Sequence, residues 1–249
     1  MLMRVHMKKL ALQVYIDLQK RTGATVLHFI HIRKTAGTAI RQTISRKAKY
    51  SGKVLSSGGF LIQAHGHEFT LQDVKPGEKA FFVVRDPIQR FISGFYSRKR
   101  MGKPQNYNPW TEGEQKAFTW FENPDQLGLA LASEADRSKA VFALRHIKHV
   151  NSSYYDWFIN DAYLRENLDK ILFVLCQEDL DADFIRAQAA HNIQLGALIK
   201  DPKRAHKNPT AVKKELSEES RKQLMDWFQP EYQFLNLLHT CGLINRTYE

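Results

Sequence analysis

Three short runs decide what this chain can fold into: residues 26–32 (VLHFIHI), 79–84 (KAFFVV) and 170–175 (KILFVL). Each is nearly continuous in apolar residues and bounded by polar turns. A strand with one wet face alternates polar and apolar residues. These runs do not, so both of their faces are covered, as in a parallel sheet flanked by helices. Helix-forming stretches follow them at 38–49, 86–100 and 181–193. Strands alternating with helices indicate an α/β architecture with a central, mainly parallel sheet. Ligands of such sheets bind beyond the carboxyl ends of the strands.

The other segments fit that frame. Residues 59–67 (GFLIQAHGH) read as a strand ending in a glycine-containing turn. The helix over 86–100 has a defined start, with Asp86 as cap, Pro87 at the first helical position and Gln89 completing a capping box. Residues 101–113 are expected to form a loop. Residues 114–168 are expected to be mostly helical, with ENPDQ providing a second cap-and-proline start. A basic loop covers 200–214, and two helices close the chain. The first 22 residues suggest an amphipathic helix. The expected organisation is a single domain over 1–249 with its core at about 26–240.

Charge says what such a fold would meet. The 249 residues include 37 Lys and Arg against 26 Asp and Glu, a net charge of +11. Residues 33–53, 85–103 and 200–214 together carry +17, leaving −6 for the remainder. Concentrated positive charge favours an anionic partner over simple solubility. Two cysteines, Cys176 and Cys241, match no metal motif and make a poor disulfide framework, so a reducing compartment is expected. No apolar run approaches the roughly 18 residues of a membrane span. The charged N-terminus lacks a signal-peptide core, leaving at most a weak membrane-surface contact.

The turn RKTAGT after the first strand is suited to an anion. The first N–H groups of the following helix lack internal partners. Gly37 permits close backbone approach, Thr35 and Thr38 add hydroxyls, and Lys34 adds a point charge. The Walker pattern is absent, because the lysine precedes the glycine and no second glycine occurs. The alternative is an ordinary strand–helix turn with a surface lysine. Farther on, Arg85 ends a buried strand and Ser93 lies two turns along the next helix, where a second phosphate could bind. Alternatively, Arg85 pairs with Asp86 or Glu68, and Ser93 is a small residue on a packed face.

The two segments FIHIRKTAGTAI and FFVVRDPIQRFISGFYS together resemble the carbohydrate sulfotransferases. These enzymes use 3′-phosphoadenosine 5′-phosphosulfate (PAPS). The resemblance implies a three-layer sandwich related to the P-loop NTPases. It places Arg33, Lys34, Thr35, Ala36, Gly37, Thr38 and Ala39 at the 5′-phosphosulfate, and Arg85 and Ser93 at the 3′-phosphate. Two departures stand out: Arg33 replaces the common proline, and Ala39 stands where a hydroxyl residue is frequent. The segment QAHGHEF resembles the H-G-H of the heparan sulfate and uronyl 2-O-sulfotransferases, in which a histidine is the base. The G-H pair shared by other branches aligns with Gly66-His67. The resemblance therefore implies His67 as base, with His65 as acceptor contact or partner. The alternative is two structural histidines at a turn. An H-x-H metal site completed by His28 or His31 lacks a matching third ligand, and no metal is expected.

Sulfuryl transfer needs positioning and stabilisation of charge on the departing oxygen, which Lys34 is suited to supply. Histidine suits the proton-accepting role. The expected acceptor is a carbohydrate or glycolipid, with no nucleic-acid partner. Arg145, His146, Lys148 and His149, interleaved with aromatics in 137–158, are further candidates for contacting it. Family members in the Golgi carry an anchor, so the expected setting here is cytoplasmic and bacterial. The competing readings are a nucleotide kinase or NTPase and a non-catalytic binder of acidic polymer.

Overall fold

A computed structural model describes residues 2–48, 54–104, 107–199 and 215–248, with side chains from residue 10 onwards. The order of elements is α1 (Leu2–Arg21), β1 (Thr25–Ile30), α2 (Gly37–Lys47), β2 (Val54–Ser57), β3 (Phe60–Ala64), β4 (Lys79–Val84) and α3 (Pro87–Lys99). There follow α4 (Glu112–Trp120), α5 (Pro124–Ala130), α6 (Arg137–His146), α7 (Tyr155–Phe158), α8 (Asp161–Glu166), β5 (Ile171–Cys176), α9 (Leu180–Ala190), α10 (Glu218–Trp227) and α11 (Gln229–Thr240). The chain divides into two compact units. One comprises Met1–Ile32, Ala36–Val84 and Tyr155–Lys200; the other comprises Arg33–Thr35, Arg85–Tyr154 and Asp201–Glu249.

The first unit contains the sheet, in the order β2-β3-β1-β4-β5. All pairs are parallel except β2 with β3. The parallel register sets Phe29 beside Ala64 and Phe81, so β1, β3 and β4 end at one edge. The three apolar runs are the inner and right-hand strands, as their composition requires. Alternate residues sort between the faces. Leu27, Phe29, Phe81 and Val83 pack with Ile40 and Ile44 of α2 and Phe184 of α9. On the other face Val26 and Leu61 pack with Ile16 of α1, and Phe82 meets Phe158 of α7 at a ring-centroid distance of 4.6 Å. The unit is thus a sheet between helical layers, the α/β sandwich expected.

Several expectations change in detail. β2 escaped the sequence reading because VLSS is short and only half apolar; it is held as an antiparallel edge by β3. Within the mostly helical 114–168, α6 ends at His146, and His149 takes a left-handed conformation (φ 69°). The loop after α3 ends at Thr111, which caps α4 in a capping box with Glu114. Helix α1 carries apolar residues on two sides, with Ile16 buried but Leu10, Val14 and Leu18 exposed. Among the described residues, no helix is long and apolar enough to cross a membrane. The basic stretch 200–214 lies outside the described residues.

The second unit is helical and anchors the start of α3. The Asp86 carboxylate accepts from Gln89 N–H (2.7 Å) and from the Tyr232 hydroxyl (3.1 Å), with Pro87 at the first helical position as expected. Arg90 is buried, lies over the Tyr154 ring at 4.3 Å and pairs with Glu231 at 3.2 Å. Glu231 also accepts from Ser153 Oγ and from Tyr154 N–H. This network fixes Tyr154, whose hydroxyl matters at the site below.

Candidate active site

The loop after β1 departs from ordinary geometry at two residues. Lys34 (φ 66°) and Ala36 (φ 68°) both lie in the left-handed region without being glycine. Such conformations cost about 1–3 kcal/mol each and concentrate at functional sites. Ala36 occupies the N-cap position of α2 and provides no side-chain cap; among the first N–H groups of α2, that of Ala39 donates to the Ala36 carbonyl at 3.0 Å. Thr35 is fully buried, whereas Arg33, Thr38 and Ala39 are half-buried.

Gly37 is under a further constraint besides the one its sequence context suggests. A Cβ there would lie 2.0 Å from Cδ2 of His31, so the His31 ring rests against the glycine. His31 in turn carries His67. The two rings are 4.0 Å apart, and His67 Nδ1 donates to the His31 carbonyl at 2.7 Å. That bond fixes the tautomer with Nε2 as the lone-pair nitrogen. Trp157, itself buried, donates from Nε1 to the His67 carbonyl at 3.0 Å. His65 lies two residues earlier, just beyond β3. Its ring stacks on Phe69 at 3.7 Å, and its Nε2 is 2.9 Å from His28 Nδ1. Burial, then the neighbouring His28, lowers the His65 pKa to about 4, so it is neutral at physiological pH.

In the second unit, cations gather around Lys34. The Lys34 carbonyl accepts from Arg85 Nη1 at 3.3 Å. Burial first, then the charges of Arg100 and Arg85, lowers the Lys34 pKa to about 7. A lysine so placed is poised to gain from an anion. Arg85 is held through its backbone: its N–H donates to Tyr154 Oη (3.0 Å), and that hydroxyl donates to the Arg85 carbonyl (2.6 Å). Ser93 is half-buried on α3, and its hydroxyl has no hydrogen-bond partner among the described residues. Three contributors have roles here that the sequence does not show. Arg100 looked like one of a run of surface basics, and Tyr154 sat in a stretch read as helix. His31 stands in the sequence only as a candidate to complete an H-x-H metal site, not as the support of His67. Among the described residues, no cluster of His, Cys, Asp and Glu is arranged to hold a metal.

The first unit carries a tautomer-fixed histidine beyond the carboxyl end of β3, and the second carries a lysine and an arginine suited to an anionic group. The chain matches the model of the sulfotransferase family over residues 20–237, and it belongs to that family. Its activity is therefore sulfuryl transfer, from a sulfate donor to an acceptor. Comparison with curated proteins finds no match.

Proposed function

We propose that this protein transfers the sulfuryl group of PAPS to a hydroxyl of a carbohydrate acceptor, glycan or glycolipid, in the manner of the heparan sulfate and uronyl 2-O-sulfotransferases. The observation that carries this reading is the hydrogen bond from His67 to the His31 carbonyl. It joins the H-G-H turn to the root of the lysine loop and presents a lone pair on Nε2, as a base requires. The donor supplies an activated sulfuryl group with a phosphate leaving group. Lys34 and the first N–H groups of α2 neutralise charge on that phosphate. Arg85, backed by Arg100 and Ser93, holds the 3′-phosphate. His67 takes the acceptor's hydroxyl proton, and His65 hydrogen-bonds the acceptor.

A transfer assay with labelled PAPS against a panel of glycans and glycolipids tests the reading. Adenosine 3′,5′-bisphosphate (PAP), the desulfated product, should raise the melting temperature. At about 100 times its dissociation constant the gain is roughly 2.7 kcal/mol. Stabilisation by ATP–Mg²⁺ but not by PAP would replace this reading with a kinase.

Two variants probe the nucleotide contacts. Arg85→Ala should weaken PAP far more than adenosine 5′-phosphate; equal losses would remove Arg85 from the 3′-phosphate. Tyr154→Phe removes a hydrogen bond from each of the two part-buried backbone groups of Arg85, which should cost about 1–3 kcal/mol of stability. Denaturant unfolding measures that cost, and titration of the variant with PAP shows whether the loosened Arg85 also binds less tightly.

A further inference from the structure

Behind His65 lies a chain of buried polar groups that sulfuryl transfer as described above does not use. Glu78, just before β4, is buried and accepts from Lys20 Nζ of α1 at 2.5 Å through Oε1. Through Oε2 it meets His28 Nε2 at 2.9 Å and accepts from the Lys75 N–H at 3.3 Å. His28 sits within β1, 5% exposed, and its Nδ1 is 2.9 Å from His65 Nε2. Phe69 flanks both imidazoles, at 4.9 Å from His28 and 3.7 Å from His65. All of these residues belong to the first unit.

The proton positions in this chain are not free to vary. Burial would raise the Glu78 pKa, but its hydrogen bonds with Lys20 and His28 and the charge of Lys20 outweigh it and keep it a carboxylate, its pKa below the ordinary value. A carboxylate accepts only, so His28 Nε2 must carry hydrogen. Burial, then the opposing pull of Glu78, leaves His28 with a lowered pKa, and it is neutral. Its Nδ1 is then a lone pair and must accept from His65 Nε2–H. His65 is neutral as well, so the lone pair falls on its Nδ1. Among the described residues nothing hydrogen-bonds to that nitrogen. The charged groups acting on His65 are Glu68, Asp73 and Arg41, and those acting on His28 are Glu78, Lys20 and Lys75.

We propose that Lys20, Glu78 and His28 form a positioning chain that locks His65 as its Nε2–H tautomer, so that Nδ1 is a fixed hydrogen-bond acceptor for a hydroxyl of the sugar acceptor. The chain has one polarity from end to end, set by the ammonium of Lys20. No proton is transferred to His65. It selects an acceptor with a hydroxyl near the one being sulfated and discriminates against a deoxy sugar or an ether there. This assignment of His65 to the acceptor rests on the sulfotransferase reading; the tautomer lock does not.

The polarity can be reversed by one substitution. In Glu78→Gln, Lys20 retains the amide oxygen, so the amide –NH2 faces His28 Nε2 and donates to it. His28 must then carry its proton on Nδ1, and His65 must carry its own on Nδ1 as well. Adding Lys20→Met frees the amide to turn, and the Lys75 N–H draws the oxygen back towards His28, restoring the original order. The experiment is NMR of ¹⁵N-histidine-labelled protein near neutral pH, which reports which imidazole nitrogen carries hydrogen. The expected result is Nε2–H on both rings in the wild type, Nδ1–H on both in Glu78→Gln, and recovery in the double variant. The acceptor KM should rise about three- to tenfold in Glu78→Gln, the loss of one hydrogen bond, and recover in the double variant, with kcat and PAP affinity changed less.

Wild-type His65 carrying hydrogen on Nδ1 would overturn the lock even if neither variant folds. So would a Glu78→Gln protein that folds with unchanged tautomers. Reversed tautomers with an unchanged KM would overturn the role at the acceptor. The expected tautomers without any PAPS-dependent transfer would instead overturn the sulfotransferase reading and leave the lock standing.

Discussion

His67→Ala is expected to lower sulfuryl transfer by about 100- to 10,000-fold, the usual worth of a general base, while PAP binds as before. The ring donates from Nδ1 to the His31 carbonyl, and the Trp157 indole holds its backbone. A side chain tied at one nitrogen and kept in one tautomer is preorganised to accept a proton at the other. Alanine removes the proton acceptor but leaves Lys34 and Arg85 in place, so binding and chemistry should separate. His65 provides the internal comparison. Burial and His28 hold its pKa at about 4, which makes it a poor proton acceptor at neutral pH, though an adequate hydrogen-bond acceptor. A pH–rate profile with a good acceptor distinguishes the two. If turnover persists undiminished down to about pH 4 and collapses in His65→Ala, the base is His65. If PAP binding falls together with turnover in His67→Ala, that histidine is holding the loop rather than taking a proton.

The sequence showed most where backbone chemistry is local. A strand buried on both faces must be apolar throughout, so the runs at 26–32, 79–84 and 170–175 were visible as strands, and the parallel sheet followed from the helices between them. Asp86-Pro87 and Asn123-Pro124 announced α3 and α5, and both side chains do cap, accepting from Gln89 and Gln126. The lysine loop and the H-G-H turn were equally legible, as short continuous segments. What the sequence hid is what depends on residues distant along the chain. Glu78 reads as a surface acid in a Gly-Glu-Lys turn, yet it is buried on His28, 50 positions away. Tyr154 reads as one aromatic among several, yet its hydroxyl holds both backbone groups of Arg85, 69 positions away. Gly37 was visible, but not its contact with the His31 ring. No local periodicity encodes such pairings; only the sheet register and the folding back of the chain do.

Lys34→Ala is expected to reduce kcat on the order of hundreds-fold, comparable to removing one oxyanion donor, with a smaller loss of PAPS affinity. The side chain is crowded by its own kind: burial, Arg100 and Arg85 bring its pKa to about 7. For a base whose folded pKa lies below the unfolded value of about 10.4, the native state releases its proton first, so the ligand-free protein gains stability as pH rises from about 7 upwards. An anion reverses this preference, because it favours the charged ammonium. Binding is therefore linked to proton uptake, and PAP affinity should fall as pH rises through about 7, by at most about tenfold per pH unit. Calorimetry in buffers of different ionisation enthalpy would detect the proton taken up. In Lys34→Ala both the uptake and the slope should vanish. Lys34→Arg should keep the affinity but lose the slope, since a guanidinium stays charged throughout this range. The leaving phosphate carries more negative charge in the transition state than in bound PAPS, so the ammonium stabilises the transition state more than the ground state. The effect on kcat should accordingly exceed the effect on ground-state affinity. A Lys34→Ala enzyme with unchanged kcat and a flat wild-type pH profile would reduce the lysine to a simple anchor for the nucleotide.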